Sequence, residues 1–367
     1  MGRLQDLYRE QGQSPWLDNL RREWLKSGEI QRWIDRGVRG ITSNPSILQK
    51  SMESGDSYDE QLADLVSGGK SITDAYWDLA ITDIRDALAL LRPVHDESAG
   101  VDGYVSIEVA PSMAHERSAT EEAARHLHTV IDEPNLYVKI PATAACVPAI
   151  GQMIAEAHPI NITLIFSLER YAEVMEAYLS GLERCTAADL SPVTSVASFF
   201  ISRVDTEVDR RLDAIGTDEA LALRGTAAYT QGQLAYEMFT KAFSGPRWEA
   251  LAARGARVQR PLWASTSTKN PAYPDTLYVD TLIGPDTVNT LPEATLAAFD
   301  DHGTVARTVD ADFGAAHQRW EALGRLVDLD DVARILEDEG IAAFEKAFDE
   351  LIGSLGTKAT ALGATNG

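Results

Sequence analysis

Cysteine is scarce here: Cys146 and Cys185 are the only two in 367 residues. Two thiols supply neither a disulfide framework nor a metal pair, and they read as reduced side chains of a cytosolic protein. Basic residues are also in short supply, 33 against 56 acidic, for a net charge of −23. That deficit argues against a nucleic-acid partner. It also means that an anionic small molecule meets a repulsive overall field, so local cations must attract it. Long apolar runs are missing, so no membrane span is expected. The opening Met1-Gly2-Arg3-Leu4-Gln5-Asp6 carries neither a signal core nor an acylation motif. With no phosphate-cradling glycine loop and no dinucleotide fingerprint, neither ATP nor NAD is implied. Histidines never take the His-Glu-x-x-His spacing, and His126 and His128, two apart on a helical stretch, point to different faces. Neither a metal nor a cofactor is expected.

What the chain does contain is a series of short apolar runs separated by helical patterns. Val38 to Thr42, Tyr104 to Val109, Leu136 to Ile140, Ile160 to Phe166, Val193 to Phe199, Pro261 to Ser265 and Thr276 to Ile283 lack polar alternation. Strands covered on both faces look like this, and the intervening helices supply the crossovers that parallel pairing requires. Trp16-Leu17-Asp18 adds a short strand at the start. Eight βα units without a nucleotide turn predict an α/β fold, a closed (β/α)8 TIM barrel with additional helices. The chain exceeds a typical barrel of about 250 residues, and the spacers Pro45 to Gly103 and Ser202 to Arg260 have helical periodicity. Leu329 to Lys358 reads as a helical C-terminal region. With no linker or repeat in view, residues 1–367 read as one domain ending in a flexible tail, 356–367.

Lys139 stands out within Leu136-Tyr137-Val138-Lys139-Ile140-Pro141, a run that would normally exclude a charge. A lysine there either snorkels to solvent or pairs with an acid, or it is desolvated toward the free amine, a nucleophile that condenses with carbonyls. Other polar residues fall at or just after strand ends: Asp18, Thr42 with Asn44, Glu108, Asn161 with Thr163, Ser198 and Ser265. Barrel active sites are assembled from the C-terminal ends of several strands. Any one Ser or Thr there is an ordinary strand-end residue, but two carboxylates and an amine converging in one barrel mouth either stabilise a charged network or form the kind of perturbed cluster in which acid–base catalysts are found.

These segments carry a family resemblance. Gly40-Ile41-Thr42-Ser43-Asn44-Pro45-Ser46-Ile47, Val105-Ser106-Ile107-Glu108-Val109, Tyr137-Val138-Lys139-Ile140-Pro141-Ala142 and Asn161-Ile162-Thr163-Leu164-Ile165-Phe166-Ser167 resemble transaldolases, in order. Ser198-Phe199-Phe200-Ile201-Ser202-Arg203 and Trp263-Ala264-Ser265 continue the match. The resemblance implies a class I aldolase mechanism without metal, in which Lys139 forms a Schiff base with a ketose. Glu108 and Thr163 then correspond to groups that hold a water near the imine, and Asp18 to the acid–base group at the C4 hydroxyl. Asn44 and Asn161 match residues that bind the dihydroxyacetone hydroxyls and the lysine, and Arg203 and Ser265 match the phosphate site. Where the family commonly continues with a second arginine, this chain reads Ala264-Ser265-Thr266-Ser267-Thr268-Lys269, which makes Lys269 the stand-in.

The implied reaction transfers a dihydroxyacetone unit from sedoheptulose 7-phosphate to glyceraldehyde 3-phosphate in the pentose phosphate pathway, a cytoplasmic transferase activity with sugar-phosphate substrates. Two alternatives stay open: an aldolase that releases dihydroxyacetone, and a catalytically silent sugar-phosphate binder. Fructose-6-phosphate aldolases carry glutamine and tyrosine where this chain has Glu108 and Phe200, which favours transfer. A homo-oligomer is compatible with the sequence, which leaves its size open.

Overall fold

A strand buried along its whole length needs cover on both faces, and the apolar runs meet that need by curling into a closed barrel. The computed structural model describes residues 2–363. Its strands are β1 (Gln13–Asp18), β2 (Gly40–Thr42), β3 (Tyr104–Glu108), β4 (Leu136–Pro141), β5 (Ile160–Ile165), β6 (Ser195–Phe200), β7 (Arg260–Ala264) and β8 (Thr287–Leu291). Each pairs in parallel with the next, and β8 returns to β1 with Gln13 opposite Thr287. The fold is therefore a (β/α)8 barrel wrapped in helices. In the helix Arg117–Ile131, which packs on β4, Ala124, Leu127 and Ile131 are buried at helical spacing.

One expected strand lies elsewhere. Thr276–Ile283 contains a short helix, Leu277–Asp280, and the eighth strand follows it at Thr287–Leu291. The buried members of the first segment, Tyr278, Val279, Leu282 and Ile283, recur three and four apart, which suits a helical turn better than a strand. The true strand carries polar residues whose partners lie inside the barrel. Thr287 Oγ1 accepts from Gln13 Nε2 at 2.9 Å, Asn289 Oδ1 from Thr266 at 2.8 Å, and Thr290 Oγ1 lies 2.5 Å from Thr42 Oγ1.

The N-terminal end of the barrel is closed by a buried charge cluster. Asp102 Oδ2 accepts from Ser14 Oγ at 2.8 Å and Arg39 Nε at 2.7 Å, while Oδ1 accepts from Arg260 Nη2 at 3.1 Å. Burial opposes the carboxylate, yet Arg260 and Arg39 together outweigh it and hold Asp102 below its ordinary pKa.

The opposite end is crossed by the helix Leu329–Ala361, which packs against the helices Pro45–Glu53 and Ser202–Ile215 and reaches β5. Gly340 makes that approach possible. A Cβ there would stand 3.0 Å from Leu164 Cδ2 and 3.6 Å from both Arg203 Nη1 and Phe166 Cε2. Gly356–Ala361, expected to begin a loose tail, instead continues this helix, because Leu355 and Ala359 still bury their side chains. The tail's last residues, 364–367, lie outside the described residues.

Candidate active site

The parallel register sets the site. Glu108 on β3 is the partner of Lys139 on β4, which in turn faces Asn161 on β5, and Asp18 on β1 is the partner of Thr42 on β2. Asp18, Thr42 and Glu108 end their strands and Lys139 lies two residues short of the end of β4, whereas Asn161 enters near the start of β5 and meets them only through the stagger of the barrel. Asp18, Thr42 and Lys139 line a cavity of about 120 Å³ together with Thr163, Ser198 and Phe200, while Glu108 and Asn161 stand behind the lysine without lining it. Asn44 borders it from the loop after β2, and Arg203, Ser265 and Lys269 close its outer end. A larger groove of about 920 Å³ lies outside the barrel, between the helices Ile72–Glu97 and Arg117–Ile131, and holds none of these groups. Chemistry, not size, selects the smaller cavity.

At its floor Lys139 Nζ lies 3.0 Å from Glu108 Oε2 and donates to the Ser43 carbonyl at 3.1 Å. The lysine is 5% exposed and the glutamate 8%, so Lys139 does not snorkel to bulk solvent. Burial raises the Glu108 carboxyl above its ordinary value, against the pull of Lys139 and with a push from the Asp18 charge. Thr163 Oγ1 is buried without a hydrogen-bond partner, and Glu108 Oε2 makes only its ion-pair contact, without hydrogen-bond alignment. Asp18 accepts from Thr42 Oγ1 at 2.7 Å. Its carboxyl too is raised by burial, with the Thr42 hydrogen bond and the charges of Lys139 and Lys269 acting in the other direction.

The two asparagines sit differently. Asn44 caps the helix Pro45–Glu53, its Oδ1 accepting from Ile47 N at 3.0 Å, while also bordering the cavity. Asn161 is fully buried beside Lys139, where it accepts from Ser198 Oγ at 2.7 Å and donates to Ser106 Oγ at 3.1 Å. Its amide ties β3, β5 and β6 together at the level of the lysine. Further along β5, Leu164 takes a φ of 62° where the β5–β6 register shifts, a strained non-glycine position next to the cavity-lining Thr163.

At the outer end, the Arg203 guanidinium stands 5.4 Å over the Phe200 ring, and Lys269 Nζ donates to Ser267 Oγ. Among the described residues neither cation has a carboxylate within 4.0 Å. Desolvation lowers the pKa of both, and Arg203 and Lys50 lower Lys269 further while Asp18 raises it. Two cations that repel each other thus stand beside the Ser265 and Ser267 hydroxyls at this end of the cavity. Sequence reasoning missed Thr290, Pro292, Ser267 and Phe344, which also line the cavity, and the Ser43 carbonyl. Thr290 and Pro292 were lost with the misplaced strand. Phe344 belongs to the C-terminal helix, whose periodicity gave its helicity but not its partner. No group of three or more His, Cys, Asp or Glu suited to a metal occurs among the described residues.

Residues 15–355 match the family model described as transaldolase/fructose-6-phosphate aldolase. A transaldolase of Frankia alni is 49% identical over 349 residues, covering 94% of this chain and 94% of that protein. Transaldolase 1 of Streptomyces coelicolor is 50% identical over 359 residues, 96% of this chain and 94% of its own length. The transaldolase of Thermobifida fusca is 50% identical over 346 residues, 93% of this chain and 94% of its own.

Proposed function

Because this chain belongs to the transaldolase/fructose-6-phosphate aldolase family, we propose that its barrel mouth moves a dihydroxyacetone unit between sugar phosphates through an imine on Lys139. The protein is an enzyme, a transferase acting on sugar phosphates. Sedoheptulose 7-phosphate is the donor and glyceraldehyde 3-phosphate the acceptor, giving erythrose 4-phosphate and fructose 6-phosphate. The observation that carries this reading is the buried Lys139–Glu108 pair at 3.0 Å, with Asp18 sharing the lysine's cavity and Arg203 at that cavity's outer end.

The steps follow from those positions. Glu108, with its raised proton affinity, takes a proton from the Lys139 ammonium, and the amine attacks the ketose C2 carbonyl. Glu108 and Thr163 hold the water through which the carbinolamine gains and loses protons. Departure of water leaves the iminium, an electron sink. Asp18 removes the C4 hydroxyl proton, the C3–C4 bond breaks toward the iminium, and the aldose leaves. The enamine then attacks the acceptor aldehyde, Asp18 returns the proton, and hydrolysis frees the new ketose and the lysine. Asn44 and Asn161 orient the dihydroxyacetone hydroxyls and the lysine, with Ser198 bracing Asn161 and Thr42 bracing Asp18. Arg203, Ser265 and Lys269 receive the phosphate. Phe200 offers the waiting enamine no hydroxyl, which supports transfer over release of dihydroxyacetone.

We place the reaction in the cytoplasm, consistent with two buried free thiols. Among the described residues no helix is long and apolar enough to cross a membrane. The whole chain acts as one domain.

Borohydride treatment with fructose 6-phosphate, followed by mass spectrometry, tests the mechanism. One reduced ketose-derived or dihydroxyacetone unit on Lys139 is expected, and Lys139→Ala should lose both label and turnover. Label on another lysine, or an active Lys139→Ala protein, would overturn the proposal.

A further inference from the structure

Arg203 and Lys269 come from different segments, repel each other, and have no acid within ion-pair range among the described residues. Lys269 is exposed, and its ammonium is held by the Ser267 hydroxyl and drawn by the Asp18 charge. A restraint on its loop lies outside the cavity, on the helix Ser202–Ile215 that carries Arg203. Two buried carboxylates of that helix, Asp205 and Asp209, each accept one tyrosine hydroxyl and one backbone amide. Asp209 Oδ2 accepts from Tyr273 at 2.6 Å and Oδ1 from Gly225 N at 2.9 Å. Asp205 Oδ2 accepts from Tyr278 at 2.7 Å and Oδ1 from Ala228 N at 2.8 Å.

Tyr273 lies toward the far end of the loop that leaves β7 and bears Lys269, and Tyr278 in the short helix Leu277–Asp280 that follows it. The loop's near end is tied to the helix that carries Arg203, Ser202 N donating to the Ser265 carbonyl at 3.0 Å with the two hydroxyls 3.0 Å apart. Within the loop, Thr268 Oγ1 donates to the Pro274 carbonyl at 2.8 Å. Gly225, at φ 69°, lets the Tyr273 ring lie against the backbone, because a Cβ would stand 2.8 Å from it.

We propose that Asp209 and Tyr273, seconded by Asp205 and Tyr278, are positioning residues for phosphate recognition. They fasten the Lys269 loop to the helix of Arg203, so that the two cations keep the spacing of one phosphate group. None of the four lines the cavity. They act through Lys269, by short hydrogen bonds to a charged acceptor that resist the cation–cation repulsion. This inference rests on the phosphate end assigned above.

Tyr273→Phe removes one hydroxyl and keeps the ring on Gly225. The expected result is a KM for glyceraldehyde 3-phosphate raised about fivefold, the size of one hydrogen bond, with kcat within about twofold. Inhibition by inorganic phosphate should weaken by the same factor, while the KM for unphosphorylated glyceraldehyde stays unchanged. In a Lys269→Met background Tyr273→Phe should have no further effect, the signature of action through the lysine. An unchanged KM for the phosphorylated aldehyde, equal losses for both aldehydes, or an undiminished effect in the Lys269→Met background would each overturn the proposal. Failure of the transaldolase reading would appear separately, as absence of an imine in the native protein. Phosphate binding measured by calorimetry on native and Tyr273→Phe protein tests the latch without turnover, and equal affinities would sink it.

Discussion

Two carboxyls whose proton affinity is raised by burial flank one lysine, and their neighbours separate their tasks. Glu108 touches the lysine, whereas Asp18 is held by Thr42. Asp18→Asn keeps the shape and removes the base, so imine trapping on Lys139 should survive while carbon–carbon cleavage falls on the order of 10²-fold or more. Loss of trapping in that variant would assign Asp18 to imine formation instead. Because cleavage needs the ionised form, its rate should rise with pH through a value above the ordinary aspartate pKa of 3.8, and single-turnover kinetics would locate that limb. Phe200→Tyr adds one hydroxyl beside the enamine, so acceptor-free cleavage of fructose 6-phosphate should rise relative to transfer; an unchanged ratio would remove Phe200 from control of partitioning. The sequence exposed Lys139 as an anomaly because a charge in an apolar run is visible in one dimension. Its ties to Ser43 and Glu108 needed the register, which one-dimensional spacing does not give.

Among the elements, seven strands were legible because a doubly covered strand must be apolar, and that constraint is written in composition. β8 was not, since Thr287, Asn289 and Thr290 satisfy their polar groups inside the barrel. A pattern reader sees there a polar loop. The C-terminal helix was legible as a helix but not as a roof over the site. Periodicity reports which face is apolar and is silent about what that face meets. Gly340 is the test of the roof. Gly340→Val would drive side-chain carbons into Leu164 and toward Arg203, an overpacking of about 1–3 kcal/mol. We expect kcat/KM to fall at least about tenfold with helix content by circular dichroism unchanged; full activity would mean the helix can shift without disturbing the mouth.

Across the whole molecule, the Asp102 charge cluster and the proposed catalytic cavity lie at opposite ends of the barrel, the division between stability and catalysis that this architecture favours. Asp102, with Arg39 and Arg260, anchors the closed end. Asp102→Asn should therefore destabilise by about 3 kcal/mol, the cost of leaving buried charges unpaired, while kcat at low temperature is retained. Because the folded carboxyl is held below 3.8, its contribution is present above that pH and is lost as pH falls through the lower folded value. The stability gap between native and variant protein should thus narrow below pH 3.8 in denaturant titrations at a series of pH values, and a gap independent of pH there would contradict the assignment. The closure of β8 onto β1 also has a consequence in time. Gln13 waits for Thr287, and synthesis at about 5–20 residues per second separates them by tens of seconds. Throughout that interval any sheet already formed has two bare edges, open to pairing with a neighbouring nascent chain. For this architecture the most dangerous moment is set by the pace of the ribosome, and slowing translation after β7 would lengthen it.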